Sequence, residues 1–330
     1  MTDDSLAMAR HLRARLRFKH LDMLVKLESS TSLHQASASL SMTQSAVTKL
    51  LQEVEQMVGA QLFERSRSGI TPTASGKALI ARAHLLLNML QTAHEEISAI
   101  ELGASGYVRL GMSANAASTI LPRALALLQA DSPGVVVAAH ERGPEMLDEL
   151  RRGDFDCVVG RLPAHSDGPD LIWEHLYDEP VSLVVRKSHP LTKMKNKLSW
   201  ADALAHDWIL PHEDGAIQKA LYMWFAHSQL RPPQSRFRSI SIQANIAVVQ
   251  DSDNVALLPA GVAQRYAEQK LLHILPLKLP VKLPSIALIM RRDEEQAPAA
   301  QALICALKTA SVAEREKVKH SPLRKAVVKR

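Results

Sequence analysis

Five polar side chains share one face of a helix that the apolar spacing predicts at residues 43–58. A period of 3.6 residues places Val47, Leu50, Leu51 and Val54 on the opposite, inward face. Glutamine can read the N6/N7 edge of adenine, hydroxyls can bond bases or phosphates, and lysine neutralises phosphate. This chemistry fits the major groove of DNA, although a polar face with one lysine more often only meets solvent. The outward set is Gln44, Ser45, Thr48, Lys49 and Gln52.

A basic ribbon follows this helix. Residues 62–71 (LFERSRSGIT) predict two short strands that turn at Ser68-Gly69 and carry Arg65 and Arg67. Basic side chains beside a recognition helix contact flanking phosphates and thereby fix the protein on the duplex. Thr43 is the expected N-cap of the helix, because its hydroxyl can accept a hydrogen bond from a free backbone N–H. We also include Thr43 in the set of residues expected to contact DNA. Helix and ribbon together favour a DNA-binding module over a merely solvated face.

A second group of candidate residues lies in loops that follow predicted strands. Ligands of doubly wound sheets bind beyond the carboxyl ends of the strands. The hydroxyl of Ser113 and the amide of Asn115, with free helix N–H groups, suit an anionic or hydroxylated molecule, and Arg161 suits a carboxylate. Two alternatives stay open: Ser113 as an ordinary N-cap and Arg161 as half of an interlobe salt bridge. The group comprises Ser113, Asn115, Arg142, Pro144 and Arg161.

Polar loops later in the chain add four candidates to the same ligand site. The run His212-Glu213-Asp214 holds side chains that can ligate metals. A single cluster without spaced partners seldom binds a metal, so we expect a polar loop, no metal and no cofactor. The added residues are His212, Ser241, Gln243 and Pro259.

Signatures of catalysis are absent from the sequence. It contains no GxGxxG, GxxxxGK[ST], HExxH, GxSxG or CxxC motif. Its two cysteines cannot form a disulfide framework. Cys157 in an apolar strand and Cys305 on a helical face are expected to be inert core residues. We therefore expect a protein that is not an enzyme.

Composition indicates an ordinary globular chain. Its 330 residues suggest two or three domains at roughly 100–200 residues each. Apolar residues make up 46% and charged residues 22%, which excludes disordered and fibrous classes. No apolar run approaches the ~20 residues of a membrane span, and the N-terminus lacks a signal-like stretch. We expect no membrane partner and a cytoplasmic location.

The formal net charge of +6 is concentrated near the C-terminus. Residues 314–330 hold 7 Lys/Arg and 2 Asp/Glu, whereas residues 1–105 hold 11 and 10, and residues 106–313 hold 22 of each. The overall charge is therefore no argument that the folded part binds DNA. We interpret residues 313–330 as a solvated basic tail, with weak contact to DNA as the less favoured alternative.

The elements that must position these residues change in kind along the chain. Apolar spacing predicts helices over 18–28, 33–40 and 43–58, the last ended by Gly59. A long helix follows Thr71-Pro72-Thr73 and carries apolar residues at the a and d positions of a heptad, which favours a dimerising seam over packing on its own chain. The seam includes Leu79, Leu86, Leu90 and Ile97.

From residue 107 onward, short β-rich runs alternate with amphipathic segments. This alternation predicts a mostly parallel, doubly wound α/β sheet in one domain or two lobes. The predicted strands are 107–112, 135–139, 156–159, 181–186, 255–258 and 285–291, and the predicted helices lie around 119–130, 145–152, 217–229, 242–250 and 296–310.

Particular residues within 18–76 match one known family. They are Ala36, Thr43-Gln44-Ser45-Ala46-Val47-Thr48, Leu62-Phe63-Glu64-Arg65, Gly69, Thr73 and Gly76. This segment resembles the winged helix-turn-helix of LysR-type transcriptional regulators. Matches at Gly111, Leu121-Pro122, Pro133 and Gly153-Asp154-Phe155-Asp156 extend the resemblance over about 18–310. Residues 141–163 look most like the branch that contains regulators of protocatechuate catabolism and of sugar-uptake genes.

The resemblance implies an α/β protein with an all-α-type winged helix-turn-helix N-terminal domain, a long linker helix and a two-lobed, doubly wound effector domain similar to periplasmic binding proteins. The implied segments are an extension at 1–17, the DNA-binding domain at 18–76, the linker and dimerisation helix at 72–102, the effector domain at 107–312 and a basic tail at 313–330. Lobe I would comprise about 107–179 and 284–312, and lobe II about 180–283.

The same resemblance implies a homodimer or homotetramer that binds double-stranded operator DNA and alters transcription when a small molecule occupies the cleft. The effector would be an aromatic acid or a sugar, and RNA polymerase would be a partner of an activator. Two alternative functions remain open. A solute-binding or transport-related protein would need export, and an enzyme with an N-terminal dimerisation module would need a nucleophile, metal or cofactor signature.

Overall fold

The structure is a computed structural model. It describes residues 12–66, 69–161, 168–194, 198–211, 216–277, 279, 281, 283–292 and 294–320. The chain divides into two compact units, which are described separately below. One comprises the chain up to Gly103 together with Asp148–Phe155, and the other comprises Ala104–Leu147 and the chain from Asp156 onward.

The first unit is a small helical domain with a two-stranded ribbon. Its elements are α1 (Phe18–Glu28), α2 (Leu33–Ser39), α3 (Gln44–Val58), β1 (Phe63–Ser66), β2 (Gly69–Pro72) and α4 (Ala74–Glu101). The apolar faces predicted for these helices meet in one core, and burying each large side chain contributes about 1.5–3 kcal/mol. The core includes Met23, Leu24, Leu27, Val47, Leu50, Val54, Leu62, Phe63 and Ile80.

Local capping fixes the ends of α3. The Thr43 hydroxyl accepts a bond from the Ala46 N–H at 3.2 Å, as expected for an N-cap. Gly59 ends the helix in the left-handed region at φ 70°, where glycine carries no Cβ penalty. Ser41 adopts φ 53° between α2 and α3. The predicted helix-turn-helix is confirmed in this unit.

Two glycines of the family pattern are explained by close backbone contacts. Gly69 has φ +126°, and a Cβ there would lie 2.2 Å from the Thr31 carbonyl oxygen. A Cβ on Gly76 would lie 2.0 Å from the Leu62 carbonyl oxygen. Neither position can accept a side chain unless the backbone moves, so these residues anchor the ribbon on the helical domain.

The second unit contains two five-stranded sheets with helices between the strands. The first sheet has the order β4-β3-β5-β12-β6 and the second has the order β11-β7-β10-β8-β9. The strands are β3 (Gly106–Met112), β4 (Val135–Glu141), β5 (Cys157–Arg161), β6 (Leu171–Tyr177), β7 (Val181–Arg186), β8 (Trp208–Leu210), β9 (Phe237–Arg238), β10 (Val255–Pro259), β11 (Leu272–Ile274) and β12 (Ile286–Arg291).

Among the described residues from 107 onward, five helices overlap the predicted segments and three lie outside them. The five are α6 (Leu121–Asp131), α7 (Met146–Arg152, which belongs to the first unit from Asp148 onward), α9 (Ala216–His227), α10 (Ile242–Gln250) and α12 (Pro298–His320). The three outside the predicted set are α5 (Ala114–Thr119), α8 (Trp200–Leu204) and α11 (Ala260–Glu268). Within the described part of the chain, none of the helices has the length and hydropathy needed to cross a bilayer.

Four of the five strands in each sheet share one direction, as the alternating pattern predicts. The reversed strand is β12 in the first sheet and β7 in the second, and each runs antiparallel to both of its neighbours. These two strands arrive directly from the other sheet. Parallel neighbouring strands must be joined by a crossover, usually a helix. Among the described residues, no such crossover precedes β7 or β12, and each runs antiparallel to its neighbours.

Several elements differ from the sequence-based prediction. The strands β6, β8, β9 and β11 lie outside the predicted set; three of them have only two or three residues, and β6 carries polar residues on one exposed stretch. The α12 helix continues past the predicted tail boundary at 312, and Glu314 is buried. Arg315 donates to the backbone carbonyls of His175 and Leu176 in β6. The idea that the solvated tail begins at 313 is therefore wrong, while residues 321–330 lie outside the described residues.

The two cysteines differ in their exposure to solvent. Cys157 is completely buried in the first sheet, and burial raises the pKa of its thiol to about 12. Cys305 is exposed on α12, so the prediction that it is a core residue is wrong. The thiol of Cys157 stays protonated at neutral pH and is chemically quiet.

Candidate functional site

The polar face of α3 is available to a partner. Val47, Leu50 and Val54 are buried beneath it. Most of the outward side chains are exposed and Thr48 is half-buried. The exposed side chains are Thr43, Gln44, Ser45, Lys49 and Gln52.

Hydrogen bonds tie α3 to the base of the ribbon. The Glu55 carboxylate accepts the backbone N–H of Leu62 at 2.8 Å and that of Phe63 at 3.4 Å. The Thr73 hydroxyl donates to the Gln61 carbonyl at 2.8 Å. The ribbon is thereby held next to the C-terminal half of α3, as a wing requires.

The two predicted ribbon arginines differ in how far the structure describes them. Arg65 lies in β1 and pairs with Ile70 of β2. Arg67 lies outside the described residues, at the turn between the strands. Their contribution to DNA binding stays a prediction.

The long α4 helix exposes most of its predicted seam. Leu86, Leu90 and Ile97 have 46%, 53% and 58% of their surface exposed. Leu79 packs instead against the core of the helical unit. Three large aliphatic side chains in a row facing water indicate a surface that another chain can cover.

In the first sheet, strand ends bring the predicted ligand residues to one edge. β3 is parallel to β4 and β5, so their carboxyl ends coincide. The Ser113 N–H donates to the Val159 carbonyl at 3.0 Å, and the Arg142 N–H donates to the Met112 carbonyl at 2.9 Å. Ser113, Arg142 and Arg161 therefore begin loops on the same edge, as the rule for doubly wound sheets expects.

Ser113 is not an ordinary N-cap. Although it precedes α5, its hydroxyl makes no capping hydrogen bond. The Oγ atom is buried and has no hydrogen-bond partner among the described residues. Leaving a hydroxyl buried and unpaired costs about 1–3 kcal/mol, so Ser113 stays a predicted ligand contact.

Arg161 joins the two segments that cross between the sheets. Its Nη1 donates to the Pro284 carbonyl at 2.6 Å, and its Nη2 donates to the Glu179 carbonyl at 2.7 Å. The same Nη2 lies 3.2 Å from the Glu179 carboxylate. Residues 178–180 connect β6 to β7, and Pro284 lies between β11 and β12. The guanidinium thus holds both crossovers at the end of β5.

A buried polar network surrounds this ion pair. The Glu179 carboxylate accepts hydrogen bonds from the Thr119 hydroxyl at 3.1 Å and from the Asn115 side chain. Burial raises the pKa of Glu179, and Arg161 opposes that rise. Burial, with a smaller effect from the Glu179 carboxylate, raises the pKa of Tyr177 as well. Asn115 therefore supports Glu179 rather than pointing alone at a ligand.

In the second sheet, the predicted residues take different roles. The Ser241 hydroxyl accepts the Ala244 N–H at 3.3 Å and so caps α10. Gln243 is exposed and Pro259 is buried at the end of β10. In the first sheet, Pro144 is exposed beside Arg142. His212 lies outside the described residues, and no group of three metal-ligating side chains occurs among those described.

Two residues of this network carry no signal in the sequence. Glu179 and Thr119 belong to no motif, and Arg161 and Glu179 are 18 positions apart. An ion pair of this kind depends on how β5 and the crossover meet in three dimensions, which spacing along the chain does not encode.

Comparison with known proteins assigns both parts of the chain to one family. The LysR substrate binding domain matches residues 102–311, and the bacterial regulatory helix-turn-helix domain of the lysR family matches residues 18–77. The HTH-type transcriptional regulator GbpR of Azospirillum brasilense is 30% identical over 301 residues, which cover 91% of this chain and 88% of GbpR. PcaQ of Agrobacterium fabrum is 28% identical over 301 residues, covering 90% of this chain and 96% of PcaQ.

Solved structures share the fold. Full-length CbnR in complex with its target DNA aligns with a TM-score of 0.57 at 20% identity, covering 89% of this chain and 100% of CbnR. Full-length OxyR from Pseudomonas aeruginosa aligns with a TM-score of 0.54 at 20% identity, covering 90% and 95%. The chain therefore belongs to the LysR family, and it is a DNA-binding transcriptional regulator, not an enzyme, whose substrate-binding domain takes an effector.

Proposed function

We propose that α3 reads the bases of an operator through Gln44 and Thr48, with Thr43, Ser45, Lys49 and Gln52 contacting bases or phosphates around them. The observation that carries this proposal is the exposed polar face of α3, capped by Thr43 and backed by a buried apolar face. Arg65 and Arg67 would neutralise phosphates beside it. Glutamine is suited to adenine because its amide can donate and accept at N6 and N7 together.

The division of labour follows the two units. We propose residues 18–76 as the DNA-binding domain, 72–102 as the linker and dimerisation helix, and the effector domain from 107 to at least 315, since Arg315 donates a hydrogen bond to β6. The exposed Leu86, Leu90 and Ile97 would form the seam of a homodimer, or of each dimer in a homotetramer. A cytoplasmic location follows from the operator DNA, and RNA polymerase would be a partner of an activator.

The effector would bind at the shared edge of β3, β4 and β5. Ser113 offers a hydroxyl there that has no partner among the described residues, and Arg142 is exposed on the adjacent loop. Both groups suit a hydroxylated or anionic small molecule, so we propose an aromatic acid or a sugar. Ser241, Gln243 and Pro259 would contribute from the second sheet, and His212, which lies outside the described residues, stays a predicted contact. Arg161 would act through Glu179 and the crossovers as a positioning residue, because both of its Nη groups are already engaged.

The experiment compares Gln44→Ala with Gln56→Ala. Both glutamines are exposed on α3, about three turns apart, which makes Gln56 a control for side-chain loss on the same helix. Full-length protein is titrated against a duplex from upstream of its own gene and against a shuffled duplex of equal length and composition. Gln44→Ala should lose about 1–3 kcal/mol on the upstream duplex only, while Gln56→Ala should lose little on either.

Two results would contradict the proposal. Equal losses on both duplexes would remove Gln44 from base reading and make it a backbone contact. A wild-type protein that binds both duplexes equally would contradict operator recognition by α3 altogether.

A further inference from the structure

We propose that Arg13, Arg15 and Arg17, here called the basic arm, bind the DNA backbone beside the groove that α3 enters. This inference rests on the proposed function, since it assumes that α3 meets DNA. The basic arm precedes the segment matched by the helix-turn-helix family, which begins at residue 18. It would add affinity without adding base preference.

The distribution of charge in the DNA-binding unit supports the basic arm. Residues 1–77 contain ten Lys/Arg, and five of them fall within residues 10–19, which hold no Asp/Glu. The recognition helix itself contributes one cation, Lys49, against Glu53 and Glu55. Proteins hold DNA largely by neutralising phosphates with Lys and Arg. Four of these five cations precede α1, so the segment just before α1 is the largest local source of such charge.

The backbone of the basic arm is held against the helical unit while its charges are exposed. Residues 12–15 form a helical turn, and the Leu16 N–H donates to the Leu12 carbonyl at 2.9 Å. Leu16 is half-buried and packs against the core of that unit. Arg13, Arg15 and Arg17 are all exposed. A docked backbone lowers the entropy cost when the side chains bind, which favours a defined contact over a merely solvated tail.

Contacts through His20 place the basic arm at the flank of the recognition helix. The Arg17 N–H donates to Nδ1 of His20 at 3.0 Å. His20 is buried, and its Nε2 lies 3.9 Å from the Glu53 carboxylate on α3. Glu53 is one helical turn beyond Lys49, on the same side of α3. The C-terminal end of the basic arm, at Arg17, is thus linked through His20 to the side of α3 that carries Lys49 and Glu53.

DNA geometry supplies the partner at that place. Phosphates line both edges of a major groove about 12 Å wide, so a helix in the groove has a phosphate strand on either side. The wing with Arg65 would serve one flank of α3 and the basic arm the other. Arginine suits this role because its planar fork can donate two hydrogen bonds to one phosphate.

The test measures the salt dependence of DNA binding. Full-length wild type and an Arg13→Ala/Arg15→Ala/Arg17→Ala variant are titrated against the upstream duplex and the shuffled duplex over a series of NaCl concentrations. Each phosphate that is no longer neutralised should reduce the slope of log K against log[salt] by about 0.9, so the slope of the triple variant should fall by about two to three. The reduction should be the same on both duplexes.

Matched variants separate a local effect from a change in total charge. Lys187→Ala/Lys219→Ala/Arg231→Ala removes three exposed cations from the second unit and should leave the slope unchanged. Arg13→Lys/Arg15→Lys/Arg17→Lys keeps the charge and should retain most of the slope. Leu16 is untouched in each variant, and thermal unfolding checks that the helical unit is intact.

The outcomes distinguish this inference from the proposed function. An unchanged slope in the Arg→Ala variant overturns the basic arm and points to a solvated segment or an acidic protein partner. An equal reduction in the second-unit control also overturns it, because the effect would then be long-range charge. A wild type without preference for the upstream duplex overturns operator reading, yet the slope on the shuffled duplex still decides the basic arm.

Discussion

The DNA-reading face of α3 and the effector edge of the first sheet are held in place by interactions of very different range. On α3, a 15-residue helix with a local cap presents the polar residues, and the apolar face beneath them follows from the sequence period. At the sheet edge, Arg161 is held by a carbonyl 123 positions away and by a carboxylate 18 positions away. Polar residues on α3 are exposed, whereas those around Arg161 are buried.

This difference decides what each region can tolerate. When a polar residue on an exposed helical face is replaced, the protein loses a contact with its partner molecule but still folds. A buried ion pair loses its compensation when one member is removed, and the remaining charge is left in a poor solvent. We therefore expect function to change first on α3 and stability to change first at the sheet edge.

The largest expected effect is the loss of stability on removing Arg161. In Arg161→Ala the Glu179 carboxylate and two crossover carbonyls lose their donor, which should cost about 3–5 kcal/mol. Arg142→Ala, at the same edge but exposed, should stay within about 0.5 kcal/mol of wild type. Urea unfolding of the full-length variants, followed by circular dichroism, measures both values.

A double variant distinguishes the loss of the ion pair from a general failure to fold. Arg161→Met/Glu179→Leu removes both charges and should recover part of the stability, since an apolar pair can replace a buried ion pair. If Arg161→Ala and Arg142→Ala behave alike, the buried network does not hold the crossovers, and the contrast between the two regions fails.

The next effect concerns the α4 seam. Like the apolar face of α3, this seam is predicted from the spacing of apolar residues along the helix. Leu90→Asp places a charge in the proposed interface and should weaken dimer association by about 2 kcal/mol or more, because a buried leucine contributes that much. Leu102→Asp is the control, since Leu102 is 89% exposed and lies off the heptad. Sedimentation across a concentration series reports the dimer fraction, and an equal response of both variants would identify the seam as an ordinary exposed surface.

The same contrast explains how much of the molecule the sequence predicts. Helical period, the Thr43 cap and Gly59 define α3 within about a turn, because all of that information is local. The α/β class and most strands follow from alternation. The reversed direction of β7 and β12 does not follow from alternation, because it depends on which sheet the chain enters next. The pairing of Arg161 with Glu179 cannot be predicted either, because it depends on how separate segments meet in three dimensions. The short β8, β9 and β11 offer too few residues for a period.

Sites at strand ends are only partly predictable from the sequence. The rule that ligands bind at carboxyl ends brings Ser113, Arg142 and Arg161 to one edge without any structure. It does not say which of them faces a ligand and which holds the fold. Ser113 and Ser241 look alike in sequence, since each precedes a helix, but only the Ser241 hydroxyl caps its helix.

The smallest effect separates these two serines. Ser241→Ala removes a cap and should destabilise the effector domain by about 0.5–2 kcal/mol. Ser113→Ala removes a buried hydroxyl that has no partner among the described residues, so stability should be unchanged or slightly higher. Thermal unfolding of the two full-length variants gives the comparison, and binding of candidate aromatic acids and sugars by calorimetry should weaken in Ser113→Ala. A destabilised Ser113→Ala with unaltered ligand binding would show that the hydroxyl serves the fold, and the effector site would then lie away from the end of β3.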